Sequence, residues 1–190
     1  MATITIRRSE NVLQEKEAVS TYLKEHGVIY ESWGVERLNG HLKESYALSP
    51  NEQLKILDLY APEIEDLKSR QGYLTQDIVV LSDATPNLDL ILEKFRWEHH
   101  HTDDEVRFVV DGSGIFTIRK NGLIFDVIVE AGDMIVVPAY TRHWFDLTLE
   151  RKIKCIRIFK DPAGWIAVYD ETGRLIRVDV LKTDRLTWTS

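Results

Sequence analysis

Seven consecutive residues, His99-His100-His101-Thr102-Asp103-Asp104-Glu105, carry three of the six histidines in this chain beside three carboxylates. In an extended segment, side chains two apart share a face. Extended geometry from 99 to 107 therefore groups His99, His101, Glu105 and Arg107, and turns His100 the other way. His143, which follows Gly132 and Pro138, supplies a third imidazole if its strand lies alongside. Three neutral nitrogens and one carboxylate suit zinc, iron, nickel, copper or manganese, and do not suit the oxygen cages of calcium or magnesium. Four such ligands on an octahedral ion leave two adjacent positions for a bidentate oxygen chelate. Arg107 beside them is placed to meet an anionic oxygen of a substrate, with an ion pair inside the fold as the alternative. Glu98 and Asp104 are candidates for orienting imidazoles or accepting a substrate proton, or else are surface charge. Phe95, Phe145 and Trp165 are candidates for an apolar slot, or else core. His26 and His41 have no partner in the sequence and read as surface or capping residues.

Other segments must position that face. The first half reads as largely helical. Val12, Val19, Tyr22 and Leu23 form a helical stripe within residues 10 to 25, with a stop at His26-Gly27. Ser49-Pro50-Asn51-Glu52 combines an N-cap, a proline at the first helical position and a capping-box glutamate. The helix it opens carries Leu54, Ile56 and Leu57 up to Pro62, and Gly72 caps the segment through Leu67. Leu88, Ile91, Leu92 and Phe95 make one more short helix after Thr85-Pro86. From residue 105 the pattern changes to seven short strand-like runs separated by turn residues. Gly112-Ser113-Gly114 reads as one such turn, and Asn121-Gly122 as a tight hairpin. The expected fold is mainly β, a sandwich or small barrel with helices packed outside it. It forms a single domain over residues 1 to 190: a helical part at 9–96, a barrel at 97–170 and a tail at 171–190.

Composition narrows the class. A chain of 190 residues with 44% hydrophobic and 29% charged residues suits one well-buried globular domain. A net charge of −7 argues against a nucleic-acid surface. It does not exclude an anionic substrate, because a metal ion and a local arginine can reverse the field in a cavity. One cysteine cannot form an internal disulfide, and the N-terminal residues lack the apolar run of a signal peptide. No stretch is apolar enough to span a membrane. A cytoplasmic monomer without nucleic-acid or membrane partners is expected.

Two spacings then converge on a known pattern. His99-x-His101-x3-Glu105-x6-Gly112 and Gly132-x5-Pro138-x4-His143 resemble the paired motifs of the cupin superfamily, double-stranded β-helix or jelly-roll barrels. Glu93, Tyr140 and Leu147 depart from it, standing where the pattern has two glycines and an asparagine. The longer string from Phe95 through Glu98-His99-x-His101-x-x-Asp104-Glu105-Val106-Arg107-Phe108 resembles the acireductone dioxygenase family. Leu59-Tyr60, Glu63-Ile64, Leu67-Lys68, Gly72-Tyr73, Asp77-Ile78-Val79 and Pro86-Asn87-Leu88 extend the likeness over roughly residues 50 to 165.

The resemblance implies one iron(II) or nickel(II) per chain, held by His99, His101, Glu105 and His143. It implies oxidation of the acireductone 1,2-dihydroxy-3-keto-5-methylthiopentene by dioxygen in methionine salvage. The iron form would yield formate and 4-methylthio-2-oxobutanoate; the nickel form would yield carbon monoxide, formate and 3-methylthiopropanoate. Two other readings of the same motifs are a metal-dependent sugar isomerase or epimerase and a non-catalytic binding cupin. An isomerase would run without dioxygen, and a vestigial site would have lost ligands, whereas all four positions are filled.

Overall fold

The computed structural model describes residues 1–9, 11–161 and 166–169. Its centre is one long strand, β6 (Glu105–Lys120), which takes part in two sheets. In its first half β6 pairs with β8 (Asp133–Val137) and β10 (Ile153–Phe159). In its second half it pairs with β7 (Leu123–Glu130) and β9 (Arg142–Leu147). All these pairs are antiparallel.

Earlier segments widen both sheets. β1 (Thr3–Ile6) joins β7 and carries β2 (Asn11–Leu13), while β3 (Ile29–Ser32) joins β8. β4 (Thr75–Leu81) lies along the whole of β10. β5 (His99–His100) pairs with β9 on one side and β11 (Val168–Tyr169) on the other. The expectation of a largely helical first half is thus corrected: four strands precede residue 96. Val12, assigned above to a helical stripe, sits in β2 opposite Thr5, and the helix α1 (Lys16–Glu25) begins only afterwards. Residue counting cannot separate these readings, because a two- or three-residue apolar run fits both periods.

Other local signals hold. After the short α2 (Gly40–Glu44), Ser49 and Glu52 form the reciprocal capping box that starts α3 (Pro50–Leu59). Gly72 closes α4 (Ala61–Gln71) in the left-handed conformation. Asn121 and Gly122 both have positive φ, as a two-residue hairpin with the right-handed twist requires. Leu54 of α3, counted as part of its apolar stripe, is exposed, and Ile56 is the residue that packs inward.

The helices α3 and α4 bury Ile56, Tyr60, Ile64 and Leu67 against the outer face of β6, where Val106, Phe108 and Val110 point. Phe108 lies 4.7 Å from Trp33 and 4.9 Å from Tyr60, ring to ring. Such pairs add about 0.5–1.5 kcal/mol each beyond burial. The odd-numbered residues of the same stretch, Glu105, Arg107 and Val109, face the barrel interior together with α5 (Leu88–Phe95).

Gly112-Ser113-Gly114 is not a turn. The strand continues through it, with a register shift against β10 at Lys154/Cys155 that leaves Val110 without a partner there. That bulge changes the parity of the inward face from odd to even, so Gly114, Phe116 and Ile118 point inward beyond it. Gly112 has φ +79, and a Cβ there would collide with the Lys152 carbonyl oxygen. The glycines serve a bend and a close backbone approach, not a chain reversal.

Candidate metal centre

β5 and β9 are paired so that His99 lies directly opposite His143. The segment expected to be extended from 99 to 107 is broken: His99 lies in β5, a bend over residues 101–104 begins with His101, and Glu105 opens β6. The three imidazoles each offer a nitrogen within 4.8 Å of the others. Glu105 Oε2 lies 2.6 Å from His143 Nε2 and 3.8 Å from His101 Nε2. All four side chains are nearly out of solvent, from 1% exposed at His143 to 7% at His101.

The backbone orients two of the rings. His99 Nδ1 is 2.6 Å from the Trp97 carbonyl oxygen and His143 Nδ1 is 2.8 Å from that of Thr141. A carbonyl can only accept, so each Nδ1 carries a hydrogen and Nε2 is the nitrogen directed inward to ligate. His143 Nε2 and Glu105 Oε2 are buried, close to each other and without a hydrogen-bond partner of acceptable geometry. A nitrogen and an oxygen held this way fit a shared cation. The nitrogen and oxygen set matches a first-row transition metal.

Electrostatics prepare the same state. Burial pushes the His99 imidazole down to about 4, assisted by repulsion from His143. Burial likewise lowers His101. Burial alone would raise Glu105, but His143 and Arg107 outweigh it and hold the carboxyl well below its usual range. Neutral imidazoles and an ionised carboxylate are the forms that ligate a metal. Above pH 6.5 His99 is neutral whether folded or unfolded, and contributes nothing to pH dependence. Between 6.5 and about 4 the unfolded chain gains a proton that the folded one refuses. We expect metal-free protein to lose up to roughly 3 kcal/mol of stability over that window through His99. Urea unfolding at pH 7.5 and 4.5 measures it. A His99→Phe variant should show a smaller drop.

Arg107 donates through Nε and Nη2 to Glu105 Oε1, at 3.1 and 2.9 Å. One carboxylate oxygen is therefore held by the guanidinium while the other faces the histidines. Arg107 also lines a cavity of about 220 Å³ whose walls include His99, His101 and Glu105. Phe95 and Phe145 line it, and Trp165 lies outside the described residues.

Glu98 is placed elsewhere. Arg119 grips it at 2.7 and 3.0 Å, and it does not line the cavity. Asp104 accepts from the Tyr73 hydroxyl, the Ala139 amide and Lys160 Nζ at 2.9–3.0 Å. Those contacts overcome burial and keep its carboxyl below the ordinary value. Asp104 thus ties the turn before His143 to the strand carrying Glu105, and its position favours anchoring over proton transfer. The same turn explains how Tyr140 replaces a glycine: it adopts φ 61, donates its amide to the His101 carbonyl and rests near the outward ring of His100.

The sequence reading missed Arg157, Cys155, Val79 and Leu81, which also line the cavity. Arg157 stands opposite Arg107 across β6 and β10 and is held by Asp77. Period-two spacing of Ile153, Cys155 and Arg157 was the available signal; what it lacked was the partner strand.

An antiparallel jelly-roll barrel with a buried histidine and carboxylate cluster at one end defines a metal-binding cupin. A profile of the ARD/ARD' family matches residues 3–167. An acireductone dioxygenase of Sulfurihydrogenibium sp. is 50% identical over 171 residues, covering 90% of this chain and 96% of the relative. One of Bacillus subtilis is 46% identical over 173 residues, covering 90% and 97%. A solved acireductone dioxygenase from Bacillus anthracis, with a cadmium ion in its active centre, superposes with a TM-score of 0.86 at 45% identity, over 89% of this chain and 98% of that one. The chain belongs to the acireductone dioxygenase family. The expected fold, family and enzyme class are borne out. No helix among the described residues is long and apolar enough to cross a membrane.

Proposed function

We propose that the protein cleaves the acireductone 1,2-dihydroxy-3-keto-5-methylthiopentene with dioxygen in methionine salvage, using one iron(II) or nickel(II) ion. The observation that carries this reading is a cavity with two unlike ends. Three buried donor groups, His99, His101 and Glu105, line it with His143 behind them, and Val79, Leu81, Phe95, Phe145 and Ile153 form its apolar walls. His99, His101, Glu105 and His143 would hold the metal, which supplies Lewis acidity and a template for two adjacent enediolate oxygens.

The chain's own residues do the rest. Arg107 fixes Glu105 by one oxygen and places positive charge beside the bound anion. Arg157 adds a second guanidinium on the neighbouring strand, so the cavity favours an anion although the whole chain is acidic. The apolar walls exclude water from the reacting carbons and accept the methylthio tail. Glu98 and Asp104 serve the site by holding strands and turns in place. We read the working unit as a cytoplasmic monomer of one cupin domain.

The test is to strip the metal, reload separately with iron(II) and nickel(II), and identify products with dioxygen present. The iron form should give the keto acid and formate. The nickel form should give carbon monoxide, formate and 3-methylthiopropanoate. Irving–Williams ordering predicts tighter retention of nickel. Absence of dioxygen uptake by both forms would overturn the reading, and unchanged turnover under anaerobic conditions would favour an isomerase.

A further inference from the structure

Gly114 lies on the inward face of β6, beside Phe116 and opposite Leu147 of β9. A Cβ built there would stand 2.5 Å from Phe145 Cε2, 2.6 Å from Phe145 Cζ and 3.1 Å from Ile153 Cδ1. Unlike Gly112, this residue has no positive φ to explain it, so the backbone does not demand glycine. The space above its Cα does. The edge of the Phe145 ring occupies the volume that any side chain at 114 would need.

Phe145 is also a cavity wall, on the same face of β9 as His143 and two residues from it. Its other sides are occupied by the Phe116 ring at 5.0 Å and, more loosely, the Phe95 ring at 6.4 Å. Carbon atoms pack at about 3.5–4.0 Å, so a methyl group at 114 must move the ring by roughly 1 Å. The open volume beside that ring is the 220 Å³ cavity. Ile153, the other atom group within reach of a Cβ at 114, lines the same apolar region.

We propose that Gly114 sets the length of substrate tail the cavity accepts, by letting Phe145 withdraw from the apolar end. This assignment rests on the acireductone reading and adds a specificity-determining position to it. Gly114 touches neither the metal ligands nor the cavity, and acts through the ring. A side chain at 114 shortens the slot while leaving Glu105, Arg107 and the three histidines where they are. Removing the ring lengthens it. Pocket contacts of about one methylene discriminate by roughly 10–200-fold, the range this effect should occupy.

The experiment uses nickel-loaded full-length protein and a series of acireductones whose tails run from methyl to hexyl, with the methylthioethyl compound among them. Affinity is read by anaerobic titration calorimetry, and kcat and KM by dioxygen uptake. Gly114→Ala should bind the methyl compound within about twofold of the parent, yet bind the methylthioethyl and longer compounds tenfold or more weakly. The loss should fall on KM, with kcat at saturation little changed. Phe145→Leu should shift preference toward longer tails, and Gly114→Ala with Phe145→Leu should recover the methylthioethyl compound. If Gly114→Ala does not fold, the tail preference of Phe145→Leu decides. Equal weakening for every tail, or an unchanged tail preference in the soluble variants, overturns the assignment. A parent protein that binds no acireductone of any tail overturns the functional reading as well. A parent that turns over the whole series while the variants keep its tail preference overturns only the role of Gly114.

Discussion

Replacing His143 with alanine is expected to remove the metal and lower dioxygen uptake by about three orders of magnitude or more. His143 is the most buried of the four donors, its Nδ1 is committed to the Thr141 carbonyl, and its Nε2 has Glu105 Oε2 as its near neighbour. No other described imidazole lies near enough to replace it: His100 faces outward beside Tyr140, and His26 stacks on Tyr22. Glu105→Ala should lose metal and turnover equally, with one further effect. It leaves the mostly buried Arg107 guanidinium without the carboxylate it now binds through two nitrogens. Breaking such a pair from one side costs roughly 3 kcal/mol. Metal content by mass spectrometry, activity by oxygen electrode and stability by urea unfolding separate the two variants. Full activity in either variant without bound metal would refute the ligand set.

Arg107→Met should be the next most damaging change, for a different reason. The guanidinium restrains Glu105 Oε1, so its loss lets the carboxylate rotate and bind the metal through either or both oxygens. Losing such an outer contact typically weakens metal binding 10–100-fold. Removing a charge placed at a developing anion costs about 10²–10³ in turnover. The pH dependence gives an independent reading. Burial raises the Glu105 carboxyl, and His143 and Arg107 pull it down. Without Arg107 the metal-free carboxyl holds its proton to higher pH, so stripped Arg107→Met should need a higher pH than the parent to take up metal. Arg107→Lys should recover only part of the loss, because an ammonium cannot reproduce a two-nitrogen grip. An unmoved pH for metal uptake in Arg107→Met would show that Arg107 acts on the substrate alone.

The comparison of residues with structure divides along a physical line. Signals that act within one or two turns of chain were readable. The Ser49–Glu52 capping box, the Gly72 cap and the Asn121-Gly122 hairpin each satisfy their own backbone groups with neighbours in sequence. Alternation holds within β6, where it sets Glu105 and Arg107 on one face, but residues 101–104 leave the strand, so it is the fold that brings His99 and His101 to them. Gly112-Ser113-Gly114 failed for the complementary reason. A glycine pair looks the same whether it reverses the chain or lets another strand approach, and only the Lys152 carbonyl decides which. The bulge there changes which residues of β6 face inward, a shift that no pattern within β6 records.

Sequence by itself determined the ligand types, their spacing and the family, since the site's first three donors lie within seven residues. Tertiary structure decided what surrounds them. Pairing β5 with β9 brought His143 across from His99, and pairing β10 with β6 set Arg157 opposite Arg107. It turned Glu98 toward Arg119 and gave Asp104 three partners from distant segments. It also placed the bare Cα of Gly114 under the Phe145 ring. These are contacts between residues far apart in the chain, and their geometry follows from register and burial, which exist only once the sheets have closed.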